Sequence, residues 1–208
     1  MIGVVDYNMG NLGSVMNALK YINADASLIS DPDGLADCSA VIFPGQGAFR
    51  DCMSHLEKSG FVPALKTWIA EDRPFFGICM GLQLLFEDSE ESPGKAGLGV
   101  FPGRVTRFPT SELKVPQMGW NRVKLLRDKC PVFNSIDDHS HFYFVHSYYV
   151  PFHDQEWVQG VTDYGLPYTA ALWRGSVVAT QFHPEKSQEM GIRMLRNFKD
   201  WVTGDAGV

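Results

Sequence analysis

The sequence has no basic surplus, no long apolar run and no close pair of cysteines, and each absence removes a class of function. Lysine and arginine together number 18 against 24 aspartates and glutamates, for a formal net charge of −6. Without excess cations there is little to neutralise a phosphate backbone, which argues against a nucleic-acid partner. No segment reaches the roughly 20 apolar residues that a membrane-spanning helix needs, so no membrane contact is expected. Met1-Ile2-Gly3-Val4-Val5-Asp6 lacks a basic flank and reads as a strand, not a secretory signal. The cysteines, Cys38, Cys52, Cys79 and Cys130, are far apart with no C-x-x-C pair. That spacing fits a reducing, cytoplasmic setting. Gly45-Gln46-Gly47-Ala48-Phe49-Arg50 fails the dinucleotide fingerprint at its third glycine, and no G-K-[ST] phosphate loop occurs. His139, His141 and His146 have no cysteine or paired carboxylate to complete a ligand set, so no metal is expected.

What is present is an ordinary globular composition: 208 residues, 45% hydrophobic and 20% charged. That length suits one α/β domain spanning the whole chain. Ile2–Asp6, Ala40–Phe43 and Pro74–Ile78 read as buried strands, with a short apolar run at Ala26–Ile29. Helical patterns run to about Tyr21, over Ala48–Lys58 and Phe61–Glu71, and from Met80 to Phe86. Ser30-Asp31-Pro32 offers a cap followed by a first-turn proline. Apolar strands alternating with amphipathic helices predict a parallel sheet covered on both faces. From Gly94 to Thr180 short strands dominate, at Arg104–Phe108, Phe142–Val145, Thr169–Trp173 and Val177–Thr180. They read as added, partly antiparallel strands on the same sheet, closed by a helix over Gln188–Trp201.

Gly77-Ile78-Cys79-Met80-Gly81 sits where a strand hands over to a helix. A buried cysteine more often packs than reacts. Glycines two residues either side, however, relieve the crowding of a tight strand-to-helix turn that would present the thiol at the carboxyl end of the sheet. There the helix N-terminus favours the thiolate, and the Met80 N–H can meet an oxyanion. A thiol nucleophile needs a base, and an imidazole needs an orienter. His183 closes the apolar run Val177–Phe182, and Pro184 stiffens the turn after it. Glu185, two residues on, is expected to project to the same side and hold the ring. Nucleophile first, with His-x-Glu near the C-terminus, departs from the α/β-hydrolase order.

These residues resemble the triad family of glutamine amidotransferases, through Gly77–Gln83, Gln181–Glu185 and Pro44–Gly47. Asp6–Asn11, Lys114–Asn121 and Phe142–Tyr148 are similar to one branch, the glutaminase subunits of imidazole glycerol phosphate synthases. The resemblance runs from Met1 to about Trp201, with Gln46 and Gln117 standing where many relatives carry an aliphatic residue and a histidine. It implies a flavodoxin-like three-layer sandwich with a mostly parallel central sheet and added antiparallel strands. It also implies catalysis by Cys79, His183 and Glu185, with glutamine held by Gly45, Gln46, Gly47, Met80, Gln83, Glu91 and Ser147. Glutamine hydrolysis would supply ammonia to a (β/α)₈ cyclase in a heterodimer, for the synthesis of imidazole glycerol phosphate and AICAR in histidine biosynthesis. Asn11, Trp120 and Tyr143 are the expected partner-facing residues, with core packing as the alternative for the two aromatics. Other glutaminase subunits, such as those of pyridoxal phosphate synthase and anthranilate synthase, share the catalytic motifs. A non-catalytic scaffold of the same fold is the reading from another class.

Overall fold

The computed structural model describes residues 1–109, 113–127 and 129–204. The first half alternates strands and helices: β1 (Ile2–Val5), α1 (Leu12–Tyr21), β2 (Ala26–Ile29), β3 (Ala40–Gly45), α2 (Phe49–Lys58), α3 (Phe61–Ala70), β4 (Phe75–Cys79) and α4 (Met80–Gln83). Between β2 and β3 a 3₁₀ turn spans Pro32–Asp37, where the Asp31 side chain accepts from the Asp33 N–H at 2.9 Å. The second half contributes β5 (Asp88–Ser89), β6 (Arg104–Arg107), β7 (Gln117–Arg122), β8 (Lys124–Leu125), β9 (His141–His146), β10 (Tyr148–Pro151), β11 (Val158–Asp163), β12 (Pro167–Arg174), β13 (Val177–Thr180) and α5 (Gln188–Thr203).

The large sheet runs β2-β1-β3-β4-β13-β12-β10-β6-β5, with β11 and β8 branching from β12. From β2 to β13 every pairing is parallel; beyond β13 the neighbours turn antiparallel until the short parallel β5–β6 pair. Side chains alternate across this sheet and build a core on each face. Val5, Val41, Phe43 and Phe75 pack with Phe49 and Leu56 of α2 and Leu65 of α3. Val4, Ile42, Phe76 and Ile78 pack on the other side with Val15 and Leu19 of α1 and Met194, Leu195 and Phe198 of α5. The result is the expected three layers. Among the described residues, no helix is long and apolar enough to cross a membrane.

Two expectations need correction. Phe142–Val145 does not join the large sheet: β9 pairs with β7 in a separate antiparallel ribbon that sets Trp120 opposite Tyr143. The helix expected over Met80–Phe86 stops at Gln83. The N–H groups of Leu85 and Phe86 reach back only three residues, to the Leu82 and Gln83 carbonyls, and the carbonyls of Leu84, Leu85 and Phe86 receive N–H groups from Leu98 to Phe101. A loop folded back on those carbonyls leaves no ladder for a further turn.

Candidate active site

Cys79 ends β4 with φ +56° and ψ −105°, a conformation that a side-chain-bearing residue adopts only when its surroundings enforce it. The enforcement comes from the two flanking glycines. A Cβ on Gly81 would lie 2.0 Å from the Phe43 carbonyl oxygen, and one on Gly77 would lie 2.9 Å from the Gly81 oxygen. Strand β3, the elbow and α4 therefore meet backbone to backbone. Because α4 has only four residues, its dipole is small, and the charge facing the sulfur must come mainly from a side chain.

That side chain is His183. Its Nδ1 lies 2.7 Å from Glu185 Oε1, with both side chains almost wholly buried. The imidazole and the Cys79 sulfur line the same cavity, close enough for the sulfur to act on the ring. Burial pushes the imidazole pKa down, but the adjacent sulfur charge and the Glu185 carboxylate outweigh it, so the ring holds its proton above the usual histidine range. Sulfur and imidazole thus share one cavity, with the carboxylate behind the ring. The way Glu185 reaches the ring differs from the expected strand alternation. Strand β13 ends at Thr180, and Glu185 is delivered by a 3₁₀ turn over Pro184–Lys186.

That turn is pinned from behind by the Tyr143 backbone and by two residues with no role assigned from sequence, Ser187 and Gly191. The Tyr143 carbonyl accepts the His183 N–H at 3.0 Å. Ser187 Oγ donates to the His183 carbonyl at 2.7 Å and accepts the Tyr143 N–H at 2.9 Å. Gly191 lets α5 pass close beneath, since a Cβ there would meet the Pro184 oxygen at 1.9 Å.

A cavity of about 260 Å³ opens in front of the sulfur. Cys79, His183, Gln46, Gly47, Met80, Gln83, Glu91 and Ser147 line it, so six of the seven expected substrate contacts converge there. Gly45 is the exception. It lies buried beneath the cavity, where a Cβ would meet Tyr7 Oη at 2.7 Å and Met80 Cβ at 2.8 Å. Its part is to let β3 approach α4. Glu91 accepts the Phe49 N–H at 2.8 Å, and burial raises its carboxyl pKa. Gln83 donates through Nε2 to the Tyr148 carbonyl at 2.9 Å, while its Oε1 is buried without a hydrogen-bond partner. Cys52 places its thiol 3.5 Å from the Gln46 carbonyl.

His146 also lines the cavity, unanticipated. Its Nδ1 lies 2.8 Å from the Tyr148 carbonyl, and burial drives its pKa down to about 4. In sequence this residue stands only as a candidate metal ligand and as part of the Phe142–Tyr148 segment, with no role in the cavity. His139, by contrast, is at the surface 3.5 Å from Asp138. Among the described residues no group of three or more His, Cys, Asp or Glu side chains is arranged to hold a metal.

Of the expected partner-facing residues, Trp120 is 46% exposed, with its ring edge-on to Tyr143 at 6.0 Å. Met118, on the same strand, is 64% exposed. Core packing is thus excluded for Trp120. Asn11 is exposed on the loop before α1, where its side chain accepts the Ser14 N–H at 3.3 Å and caps that helix.

Comparison with known proteins follows the same line. The family model for class-I glutamine amidotransferases matches residues 4–201. The chain is 47% identical to "Imidazole glycerol phosphate synthase subunit HisH" of Syntrophotalea carbinolica, over 96% of this chain and 100% of that protein. A protein of the same name from Desulfitobacterium hafniense is 45% identical over 100% of this chain and 98% of its own. Among solved structures, PurLQS from Thermotoga maritima superposes with a TM-score of 0.77 at 16% identity, covering 96% of this chain and 97% of that one. The Trypanosoma brucei CTPS glutaminase domain with bound acivicin gives 0.72 at 17% identity, covering 98% and 93%. At those identities the structural matches speak for the fold alone.

Proposed function

Because the chain belongs to the class-I glutamine amidotransferases, we propose that it hydrolyses glutamine at Cys79 as the glutaminase subunit of an imidazole glycerol phosphate synthase. The observation that carries the chemistry is Cys79, on a positive-φ elbow, sharing a cavity with His183, whose ring is held at 2.7 Å by Glu185. Near-full-length identity to proteins named as subunits of that synthase supports the choice of pathway.

In this reading the Cys79 thiolate attacks the glutamine carboxamide carbon. The Met80 and Gln46 N–H groups receive the oxyanion, and losing one such donor typically costs about 10²–10³ in rate. Protonated His183 gives its proton to the departing ammonia. Water, deprotonated by the now neutral His183, then cleaves the glutamyl thioester to glutamate. Glu185 keeps the ring in the tautomer and orientation both steps need. Gly47, Gln83, Glu91 and Ser147 hold the rest of the substrate.

The ammonia has to leave toward an enzyme that consumes it. The Trp120–Tyr143 ribbon is the surface assigned to a (β/α)₈ cyclase, forming a heterodimer, with Asn11 at its margin. The strand around Gln46 is the switch assigned to partner-dependent turnover, since Gly47 at φ +112° and Gly45 leave its peptides free to rotate.

The test is glutamine hydrolysis by the chain alone, with the cyclase, and with the cyclase plus its nucleotide substrate. The reading expects the rate to rise at least tenfold only in the last mixture. Equal rates in all three, or a rise with the partner of a different amidotransferase, would contradict it.

A further inference from the structure

Gln181 has no role in the mechanism above, yet its side chain touches the reacting atom. The residue is fully buried just past the end of β13. Its Nε2 lies 3.7 Å from Cys79 Sγ, and its Oε1 lies 3.0 Å from Gln83 Nε2.

The orientation of this amide follows from its neighbours. The Tyr148 carbonyl can only accept, so Gln83 must turn its NH₂ toward it, at 2.9 Å. The second hydrogen of that NH₂ then meets Gln181, which must answer with its oxygen. The Gln181 NH₂ is left facing the sulfur. His146 reinforces the start of the chain, because the same carbonyl obliges its Nδ1 to carry the hydrogen. Rotating Gln83 would set acceptor against acceptor, and rotating Gln181 would set donor against donor.

We propose that Gln181 donates a side-chain N–H to the Cys79 thiolate and holds the sulfur in its anionic form, as a fourth functional group alongside His183, Glu185 and the oxyanion donors. The inference rests on Cys79 being the nucleophile. A hydrogen bond to an anion is about twice as strong as one between neutral groups. This one is strongest before attack and weakens as charge moves from sulfur to the substrate oxygen. It therefore raises the thiolate fraction near neutral pH and slightly lowers the reactivity of each thiolate.

Other titratable groups around the sulfur do not duplicate it. Burial keeps Tyr7 and Cys52 protonated and His146 neutral. Glu91, across the cavity, is an anion when ionised and opposes the thiolate. Among the described residues lining the cavity, His183 is the one that carries a positive charge, with Glu185 behind it.

The experiment is the pH profile of Cys79 alkylation by iodoacetamide in the intact chain, read by peptide mass spectrometry. Gln181→Met should raise the midpoint of the profile by about one pH unit, the loss of one charge-assisted bond. Gln181→Glu, equal in size, should raise it further. Above the midpoint the Met variant should react at least as fast as wild type. A residue serving only to pack would lower the melting temperature and leave the midpoint unmoved, and that result in Gln181→Met overturns the proposal. If neither variant folds, the wild-type chain carries the test: the Gln181 side-chain amide proton resonance should shift with the Cys79 titration and lose that shift in Cys79→Ala. A resonance indifferent to both overturns it equally. Glutamine hydrolysis by wild type, measured in parallel with partner present, reports separately on the reading this rests on.

Discussion

Gly191 of α5 lies so close beneath Pro184 that a methyl group on its Cα would sit 1.9 Å from the Pro184 carbonyl oxygen. The turn that carries His183 and Glu185 is thus shaped by a helix residue outside every catalytic motif. Gly191→Ala should cost at least about 3 kcal/mol of stability, the upper range for overpacking a dense site. Where the variant folds, the base should be displaced and kcat should fall while KM changes little. Urea denaturation and steady-state kinetics check this. A variant with wild-type stability would show that the turn yields freely.

Ser187 makes the companion prediction. Its hydroxyl closes a buried circuit between His183 and the Tyr143 backbone. Ser187→Ala leaves the Tyr143 N–H short of a partner, while the His183 carbonyl keeps the Lys186 N–H, at a cost of about 1–3 kcal/mol. A midpoint unchanged in urea would count against the circuit.

Glu185→Gln keeps the shape of the side chain and removes its charge. The 2.7 Å contact to His183 Nδ1 then becomes an ordinary hydrogen bond to a cation. Charged hydrogen bonds contribute about 1.5–3 kcal/mol, so kcat for glutamine hydrolysis should fall about 10- to 100-fold. The variant should stay folded.

His146 gives a pH dependence with a definite sign. Its pKa falls from 6.5 to about 4 in the folded chain because burial penalises the imidazolium. The unfolded chain takes up that proton as pH drops through 6.5, and the folded chain does not until about 4. Stability therefore declines across that window on acidification, by on the order of 3 kcal/mol from this residue. His146→Gln, which can still donate to Tyr148, should flatten that part of the curve. Parallel wild-type and variant curves in urea titrations between pH 4 and 7 would contradict the assignment.

Much of this was legible in the sequence, for reasons that also mark where it was not. The parallel half could be read because each strand is a continuous apolar run whose alternate residues fill two cores, as Val41 and Phe43 do against Ile42. The elbow was legible because only glycine fits at positions 77 and 81. The β7–β9 ribbon was misplaced because a strand pattern records burial and not its pairing partner. Helix α4 was drawn too long because Leu84, Leu85 and Phe86 have good helical character, while the loop that takes their carbonyls comes later in the chain. Gln181 and His146 stood in recognised segments but were given no role in the site, because a buried polar residue shows its purpose only through its folded neighbours, here Gln83 and the Tyr148 carbonyl.

Trp120 tests the partner surface. At 46% exposed it contributes little to the fold of the isolated chain, so Trp120→Ala should leave stability within about 0.5 kcal/mol. As a large aromatic at an interface it should weaken cyclase binding roughly 30-fold, read by titration calorimetry. Unaltered affinity would move the interface elsewhere.

The most direct measurement is capture of the covalent intermediate. Rapid acid quench of the chain turning over glutamine with its partner, followed by peptide mass spectrometry, should find a glutamyl group on the peptide containing Cys79. The label should vanish in Cys79→Ala together with turnover. A glutamyl label on Cys38, Cys52 or Cys130, or sustained glutamine hydrolysis by Cys79→Ala, would contradict the account.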